Sequence, residues 1–567
     1  MAVLAKYDWI LAIISIAFCA SSFGNGANDV ANSYATSVAA RTLTMPQVGV
    51  LSMITEFVGA VALGARVTDT IKNGIIDISR FDAKPATIML AMGCAEVGSA
   101  FWLLLATRLG FPVSTTQTIV GALIGVGFAS EASVKWAWEK GSVSQVAASW
   151  GIAPAIAAGF SAVIFGTVKY SVLERKDPLK WGLRLIPLYL SVTAAILTLF
   201  IMIEMPTMDS LEEFGAGKAV GVILGVFGGC LLITYVFFMP YFHRRLVKGD
   251  ARLRAYHIPL GPLLWREDPP LYWPAPADGE VVIDYYASAH QAKEVPEDLK
   301  KSGPDGNNGN GNSGSDLPPP DPEQGPRIPP SNALVRKQHL EPEERWLAPV
   351  AHLHILHPNR LWNYVKFFFL QGVTRDCVTF ESDRLAATHA RAIRYDNKVE
   401  HLWTYAQVAS AIVMSIAHGS NDVANAVGPW VAAYETYRVG YVNTKSDTPV
   451  WILVVAGFLL GAGFWFYGYN IIRALGNRIT QMSPTRGFSM ELGAAITVLL
   501  ASRLGLPVST TQCLTGATIG GALMNYDLGA VNWRQLLWIF SGWVLTLPCA
   551  GLIAGLLCVM ALNTPHF

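Results

Sequence analysis

The sequence predicts an all-α polytopic membrane protein with about twelve transmembrane helices, built as two inverted-topology repeats with discontinuous helices at the repeated motifs. Of its 567 residues, 52% are hydrophobic and 15% are charged. The apolar residues are clustered in runs of about 17 to 25 residues, the length that a helix needs to cross a bilayer. Two polar motifs within such runs occur twice, in the same order. The formal net charge of +1 and the absence of a basic array give no indication of a nucleic-acid partner.

Seven predicted spans precede residue 243, and five follow residue 400. A helix of a soluble core would be shorter and amphipathic. The predicted spans are residues 8–36, 46–65, 87–107, 112–130, 143–168, 185–205, 218–240, 403–436, 450–472, 488–502, 508–524 and 535–561.

The chain is predicted to have three parts. Residues 1–242 form an N-terminal transmembrane part with the first repeat, residues 243–400 form a loop, and residues 401–567 form a C-terminal transmembrane part with the second repeat. Residues 300–331 of the loop are rich in Gly, Asn and Pro and cannot form a core, so disorder is expected over about 290–345.

A second element is expected later in this loop. The stretch RLWNYVKFFFLQGV (360–373) mixes aromatic residues with Arg360 and Lys366. It is expected to be a helix that lies along the membrane surface or docks on the transmembrane part.

The distribution of charge predicts the orientation. The short loop 206–217 is acidic and has no lysine or arginine, whereas the loops that flank it in sequence are basic. By the positive-inside rule the 243–400 loop is cytoplasmic, and both termini are outside. The loop at 66–86 is an exception, because this prediction places its basic residues outside: Arg66, Lys72, Arg80 and Lys84.

Two motifs reveal an internal duplication. GNGANDVAN (24–32) matches AHGSNDVAN (417–425), and EVGSAFWLLLATRLGFPVSTTQ (96–117) matches ELGAAITVLLASRLGLPVSTTQ (491–512) without a gap. Because seven spans separate the starts of the two halves, the second half enters the membrane in the opposite sense. Inverted repeats with a site at the midplane are typical of secondary transporters.

The first motif has the chemistry of a cation site. Polar residues at membrane depth usually mark a permeation pathway. Asp29 and Asp422 supply oxygens suited to a hard cation, and neighbouring amides can orient them. Gly24, Gly26 and Gly419 are expected to let the helix break and free backbone groups for ligands. The amides in question are Asn28, Asn32, Asn421 and Asn425.

The second motif has the chemistry of an oxyanion site. Pro112 and Pro507 are expected to stop the preceding helix, and Ser114 and Ser509 to cap the next one. A helix N-terminus with hydroxyl groups can bind an oxyanion, and two such sites suggest one tetrahedral anion held from both sides. An anion importer needs cations, because each negative charge carried inward costs about 2.3 kcal/mol per 100 mV.

Other interpretations remain open. Either motif alone could be a helix kink or a cap, although duplication of both favours a site. Glu96 and Glu491 are either buried structural partners or site residues, and Glu56 has no counterpart. A hydrogen-bonding role rather than proton transfer is expected for His418. Arg108 and Arg503 are expected to anchor helix ends at the interface, with attraction of anions as the alternative.

The duplicated GANDVANS/GSNDVANA and PVSTTQ signatures resemble the inorganic phosphate transporter (PiT) family of sodium–phosphate symporters. IDYYASAH (283–290) and ARAIRYDNKVEHLW (390–403) are similar to fungal plasma-membrane members. The resemblance implies dimers, with phosphate and sodium ions bound between the signatures. It implies phosphate ligands at Ser114, Thr115, Thr116, Ser509, Thr510, Thr511, Asn28 and Asn421, and sodium ligands at Asp29, Asp422, Asn28 and Asn421. The motif chemistry adds Asn32 and Asn425 as sodium ligands, and the further supporting candidates are Glu56, Glu96, Glu491, Gln117 and Gln512.

The predicted function is import of inorganic phosphate coupled to sodium across the plasma membrane. The alternatives are coupling to protons, transport of another tetrahedral oxyanion, and a phosphate receptor that signals through the cytoplasmic loop. An enzyme is not expected, because no nucleophile–base pair or nucleotide-binding loop occurs in the sequence. The expected partners are phosphate, sodium, the lipid membrane and a second copy of the chain, with no resident cofactor.

Overall fold

The computed structural model describes most of both transmembrane parts and the two ends of the long loop. Most of the stretch predicted to be disordered, about 290–345, and most of the acidic loop 206–217 lie outside the described residues. The end of that stretch is described, and a short helix begins there at Glu343, contrary to the prediction. The described residues are 3–139, 141–204, 215–286, 340–378, 382–443 and 448–564.

Helices make up the regular secondary structure of the described residues, apart from one isolated bridge between Ile76 and Val134. The first part contains α1 (Asp8–Asp29), α2 (Ala31–Ala39), α3 (Met45–Leu63), α4 (Ala65–Asn73), α5 (Ala86–Arg108), α6 (Thr115–Ala129), α7 (Val143–Leu173), α8 (Pro178–Glu204) and α9 (Ala216–Val247). The remainder contains α10 (Pro358–Leu370), α11 (Asp383–Ala390), α12 (Asn397–Val439), α13 (Val450–Tyr467), α14 (Tyr469–Leu475), α15 (Pro484–Arg503), α16 (Thr510–Leu523) and α17 (Trp533–Asn563).

Eight helical segments of the described chain are long and apolar enough to cross a membrane, so the protein is a multi-pass membrane protein. They contain α1 with α2, α3, α5, α7, α8, α9, α13 and α17. Four other predicted spans, which correspond to α6, α12, α15 and α16, do not meet that standard of length and hydropathy. These four helices carry repeated motif residues and are largely buried by other helices, so protein rather than lipid surrounds their polar groups.

The two repeats pack against each other in a reciprocal way. Helix α1 packs on α13, and its counterpart α12 packs on α3. Likewise α6 packs on α17, and its counterpart α16 packs on α7. Such exchange of equivalent contacts is the signature of an approximate two-fold relation between the halves. The sense in which each half crosses the membrane remains a prediction.

The motif glycines do not break their helices, contrary to the expectation from the sequence. Helix α1 continues through Gly24 and Gly26 and ends at Asp29, while α12 runs unbroken through Gly419. A Cβ on Gly26 would overlap the backbone of Leu460, and one on Gly419 would lie 2.7 Å from the Glu56 carbonyl oxygen. These glycines therefore allow α1 and α12 to approach α13 and α3 closely.

The two segments that resemble fungal family members pack on each other. The Tyr286 hydroxyl donates to Glu400 Oε1 at 2.5 Å, and the Tyr285 amide donates to Asn397 Oδ1 at 3.2 Å. The first half of the IDYYASAH segment is thereby attached to the start of α12. Its last four residues lie outside the described residues.

The aromatic stretch 360–373 contains most of α10 and shows one of the two arrangements expected for it, docking; a position along the membrane surface remains a prediction. Its C-terminal end docks on the transmembrane part, where Trp465 Nε1–H donates to the Phe369 carbonyl at 2.6 Å. The remainder exposes large apolar side chains, including Trp362 and Phe368. Such an exposed face is typical of a helix at a membrane surface.

We predict that alanine at Gly125 or Gly520 destabilises the protein. A Cβ at Gly125 would overlap the backbone of α17 at Gly551, and one at Gly520 would overlap the backbone of α7 at Ala158. The matched control is Gly221→Ala in α9, where no atom lies within 4 Å of the new Cβ and alanine favours the helix by about 1 kcal/mol. Thermal melting of the purified proteins in detergent should show a lower midpoint for the two buried variants alone. Equal midpoints for all three variants would contradict this packing.

Candidate functional site

Two aspartates from the repeated NDVAN motifs meet in the interior. Asp29 is the last residue of α1 and Asp422 lies in the middle of α12, and both are buried. Ligand atoms of Asp29, Asp422 and His418 all lie within 4.8 Å of one another. The structure therefore brings together residues that are 393 positions apart in the sequence, in an arrangement that can hold a cation.

Hydroxyl groups of both PVSTTQ motifs donate to these carboxylates. The Thr115 hydroxyl lies 2.7 Å from Asp29 Oδ2, and the Thr511 hydroxyl lies 3.2 Å from Asp29 Oδ1. In the other half, the Thr510 hydroxyl donates to Asp422 Oδ2 at 2.8 Å. The two predicted sites, one for cations and one for an oxyanion, are thus one contiguous cluster.

Asn28 and Asn421 support the PVSTTQ loops rather than facing the cluster. Asn28 donates to the Phe111 carbonyl at 3.0 Å and accepts from the Val113 amide at 3.1 Å. Asn421 makes the same pair of bonds in the second half, to Leu506 at 3.3 Å and Val508 at 3.3 Å. Their side chains are used in these bonds, and their assignment as ion ligands remains a prediction.

The side chains of Asn32 and Asn425 each form a hydrogen bond to the opposite repeat. Asn32 Nδ2 donates to the Thr511 hydroxyl at 2.8 Å, and Asn425 Nδ2 donates to the Thr115 hydroxyl at 3.0 Å. The Oδ1 atoms of both asparagines are buried and have no hydrogen-bond partner in the described part of the chain, and the same is true of Asp422 Oδ1. Buried acceptors are normally paired, so three unpaired oxygens here indicate room for a ligand.

The PVSTTQ segments form helix starts, as predicted. The Ser114 hydroxyl caps α6 by accepting from the Gln117 amide at 3.1 Å, and the Ser509 hydroxyl caps α16 by accepting from the Gln512 amide at 3.3 Å. The hydroxyls two residues further on link the loops: Thr116 donates to the Val508 carbonyl at 3.1 Å, and Thr511 donates to the Val113 carbonyl at 3.0 Å.

The prolines of these motifs do not end the preceding helices, which corrects the prediction from the sequence. Helix α5 ends at Arg108 and α15 at Arg503, four residues before each proline. Gly110 and Gly505 follow with φ angles of +72° and +69°. A glycine in this left-handed conformation is the usual way to end a helix.

Residues 25–554 match the phosphate transporter family. The chain belongs to this family. It is 39% identical to the phosphate-repressible phosphate permease pho-4 of Neurospora crassa, with 100% of this chain and 99% of the permease covered. It is 29% identical to the sodium-dependent phosphate transporter 1-A of Danio rerio, with 94% and 91% covered. A solved structure of a sodium-dependent phosphate transporter has the same fold, with a TM-score of 0.64, 24% identity, and 98% of this chain and 100% of that chain covered.

In this member of the phosphate transporter family, His418 connects the Asp29/Asp422 cluster to Glu56. Its Nε2 lies 3.1 Å from Asp422 Oδ2, and its Nδ1 lies 2.7 Å from Glu56 Oε2. Glu56 also accepts from the Ser415 hydroxyl at 2.6 Å. The hydrogen-bonding role expected of His418 is present, but its membership of the central cluster was not predicted. The i, i+4 spacing of His418 and Asp422 on one helix was the signal in the sequence.

Glu96 and Glu491 occupy matched positions in the sequence but differ in their surroundings. Glu491 accepts hydrogen bonds from four residues: Thr36 at 2.5 Å, Ser37 at 2.6 Å, Ser410 at 2.7 Å and Gln407 at 3.4 Å. Glu96 is fully buried, and neither of its carboxylate oxygens has a hydrogen-bond partner among the described residues. Gln117 and Gln512, the other supporting candidates, each leave Oε1 unpaired within the described chain.

We predict that leucine has opposite effects on protein stability at Glu96 and at Glu491. Glu96→Leu removes a buried carboxyl group whose oxygens have no hydrogen-bond partner among the described residues, and Glu491→Leu leaves the donors of four residues unpaired. Each effect should be on the order of 1–3 kcal/mol. Thermal melting in detergent should show a higher midpoint for Glu96→Leu and a lower one for Glu491→Leu. A loss of stability at Glu96 would mean that this carboxyl group has a ligand.

Proposed function

We propose that the protein imports inorganic phosphate together with sodium ions by alternating access of the Asp29/Asp422 cluster. Family membership supports phosphate as substrate, and the names of the animal relatives support sodium. The observation that carries the proposal is the set of buried oxygens without donors beside the two aspartates: Asn32 Oδ1, Asn425 Oδ1 and Asp422 Oδ1.

Sodium ions would be held by these oxygens. Hard cations prefer carboxylate and amide oxygens. Asp29 and Asp422 contribute negative charge, and the two asparagines contribute neutral oxygens from opposite repeats. Since Asn32 and Asn425 are also bonded to hydroxyls of the PVSTTQ motifs, cation binding would set the positions of those hydroxyls.

Phosphate would be held at the N-terminal turns of α6 and α16 by backbone N–H groups and the hydroxyls of Ser114–Thr116 and Ser509–Thr511. Two aspartates in a medium of low dielectric constant would repel an anion strongly. Bound sodium ions would cancel that repulsion, which couples the binding of the anion to that of the cations. The coupling also offsets the cost of moving negative charge into a cell with a negative interior.

Proton coupling is the second candidate, and the Glu56–His418–Asp422 chain is the observation that favours it. Chains of carboxylates and histidines within a membrane are typical of proton pathways. Uptake of labelled phosphate into proteoliposomes, driven by either a sodium gradient or a proton gradient, separates the two candidates. Sulfate as competitor tests the choice of oxyanion. We further propose the plasma membrane, a cytoplasmic 243–400 loop, and a homodimer as the setting of this activity.

We predict that Asp29→Asn and Asp422→Asn each abolish sodium-driven phosphate uptake. Either substitution removes one of the two negative charges that attract the cations, while the side chain keeps its size. The control is Asp527→Asn, which changes a half-exposed aspartate paired with Arg391. The measurement is initial uptake by proteoliposomes with matched amounts of protein. Near-normal, sodium-dependent uptake by either cluster variant would refute the assignment.

We predict that Thr115→Val and Thr510→Val weaken phosphate binding and do so non-additively. A hydrogen bond to a charged group contributes about 1.5–3 kcal/mol, so each loss should lower affinity by roughly tenfold to a hundredfold. The two hydroxyls belong to one network through Asn32 and Asn425, and groups in one network couple. Phosphate affinity at fixed sodium concentration is measured for both single variants and the double variant. If one threonine carries the whole effect, the phosphate is held by one repeat alone.

A further inference from the structure

A second polar cavity lies outside the Asp29/Asp422 cluster. Its volume is about 700 Å³, and it lies where α4 and the loop after α6 from the first repeat meet the end of α15 from the second. We call it the α4–α15 vestibule. The residues that line it are Asp69, Thr70, Asn73, Gly74, Lys135, Arg503 and Gly505.

The vestibule has a fixed rim. The loop after α6 is attached to the loop after α4 by the Asp77 amide bonded to the Ser133 carbonyl at 2.8 Å, and by the Lys135 amide bonded to the Ile75 carbonyl at 3.0 Å. Lys135 Nζ also donates to the Asn73 carbonyl at 2.8 Å. An ammonium group has three donors, and this bond uses one of them while it holds the charge at the cavity.

The balance of charge in the vestibule favours an anion. Lys135 and Arg503 are the cationic residues of the lining, and Asp69 is the acidic one. Asp69 Oδ1 lies 3.1 Å from Lys72 Nζ, so its charge is offset by a further lysine. A concave site with an excess of one sign of charge raises the local concentration of the opposite ion. Arginine presents a planar fork of donors that suits phosphate.

One loop separates the vestibule from the central cluster. On the vestibule side, the Thr70 hydroxyl donates to the Gly505 carbonyl at 2.7 Å. On the cluster side, Asn421 holds Leu506 and Val508, and Thr510 follows with its bond to Asp422. Residues 505 to 509 span at most about 14 Å of chain. The chain that lines the vestibule at Gly505 therefore continues within a few residues into the hydroxyl motif of α16.

We propose that the α4–α15 vestibule is an outer binding site for inorganic phosphate, with Lys135 and Arg503 as its anion-binding residues. It rests on the proposed function, and it supplies the position from which phosphate passes to the Asp29/Asp422 cluster. The predicted topology places α4, and with it the vestibule, on the outer side of the membrane.

The test is phosphate uptake by Lys135→Gln, Arg503→Gln and the double variant in proteoliposomes, at low and high ionic strength. We expect the KM for phosphate of the double variant to rise by at least about tenfold at low salt, with little change in the maximal rate or in the KM for sodium. The dependence of kcat/KM on ionic strength should flatten, because screening acts on these charges. Lys135→Arg, which keeps the charge, should restore the KM of the wild type.

Arg80→Gln is the matched control. Arg80 is an exposed cation in the same loop region, paired with Glu131 at 3.5 Å, and it does not line the vestibule. A double variant with the KM and salt dependence of the wild type would overturn the vestibule while leaving the proposed function intact. Absence of sodium-driven phosphate uptake by the wild type would instead overturn the proposed function. An equal rise in KM for Arg80→Gln would show that general surface charge, not the vestibule, attracts phosphate.

A cysteine substitution with charged labels tests on which side of the membrane the vestibule opens. Lys135→Cys is labelled in intact cells with membrane-impermeant methanethiosulfonates that add either a positive or a negative group. We expect the positive label to restore a low KM and the negative label to raise it further. Labelling of the unmodified chain is the control for its native cysteines, of which Cys19 is exposed. If neither external label changes the KM of Lys135→Cys, the vestibule is not an outer site.

Discussion

The rest of the structure depends on two buried aspartates held a few ångströms apart where the two repeats meet. Asp29 and Asp422 lie in an interior where like charges repel far more strongly than in water. Threonine hydroxyls from both PVSTTQ motifs donate to them, and Nε2 of His418 lies 3.1 Å from Asp422 Oδ2. Neighbouring acceptor oxygens remain unpaired within the described residues. A bound cation would remove both the repulsion and the unpaired acceptors, because it would neutralise the carboxylates and coordinate the unpaired oxygens.

The close packing of the helices is what allows this meeting. Glycines at matched positions let the backbones of α1 and α12 approach the helices of the opposite repeat without intervening side chains. In a membrane the hydrophobic effect does not drive helices together, so contact between small residues and hydrogen bonds between helices must do so. The reciprocal bonds of Asn32 and Asn425 are hydrogen bonds of this kind, since each asparagine belongs to one repeat and donates to the other.

The approximate symmetry of the repeats is broken at positions that carry charge. His418 stands where the first repeat has Asn25, and it alone extends the cluster to Glu56. Glu491 is surrounded by donors, whereas Glu96 at the equivalent position has no partner in the described structure.

The sequence by itself determined the helical membrane class, the duplication, the pairing of Asp29 with Asp422, and the caps at Ser114 and Ser509. These are signals of composition, self-similarity and local hydrogen bonding, and they need no knowledge of distant contacts. Tertiary structure decided which helices are covered by protein, and it turned the motif glycines from expected helix breaks into packing contacts. It also decided that His418 belongs to the cluster and that Glu96 lacks a partner. Such properties depend on residues hundreds of positions apart, as in the bond between Asn32 and Thr511. No local pattern in the sequence records which side chains will face each other across the two repeats.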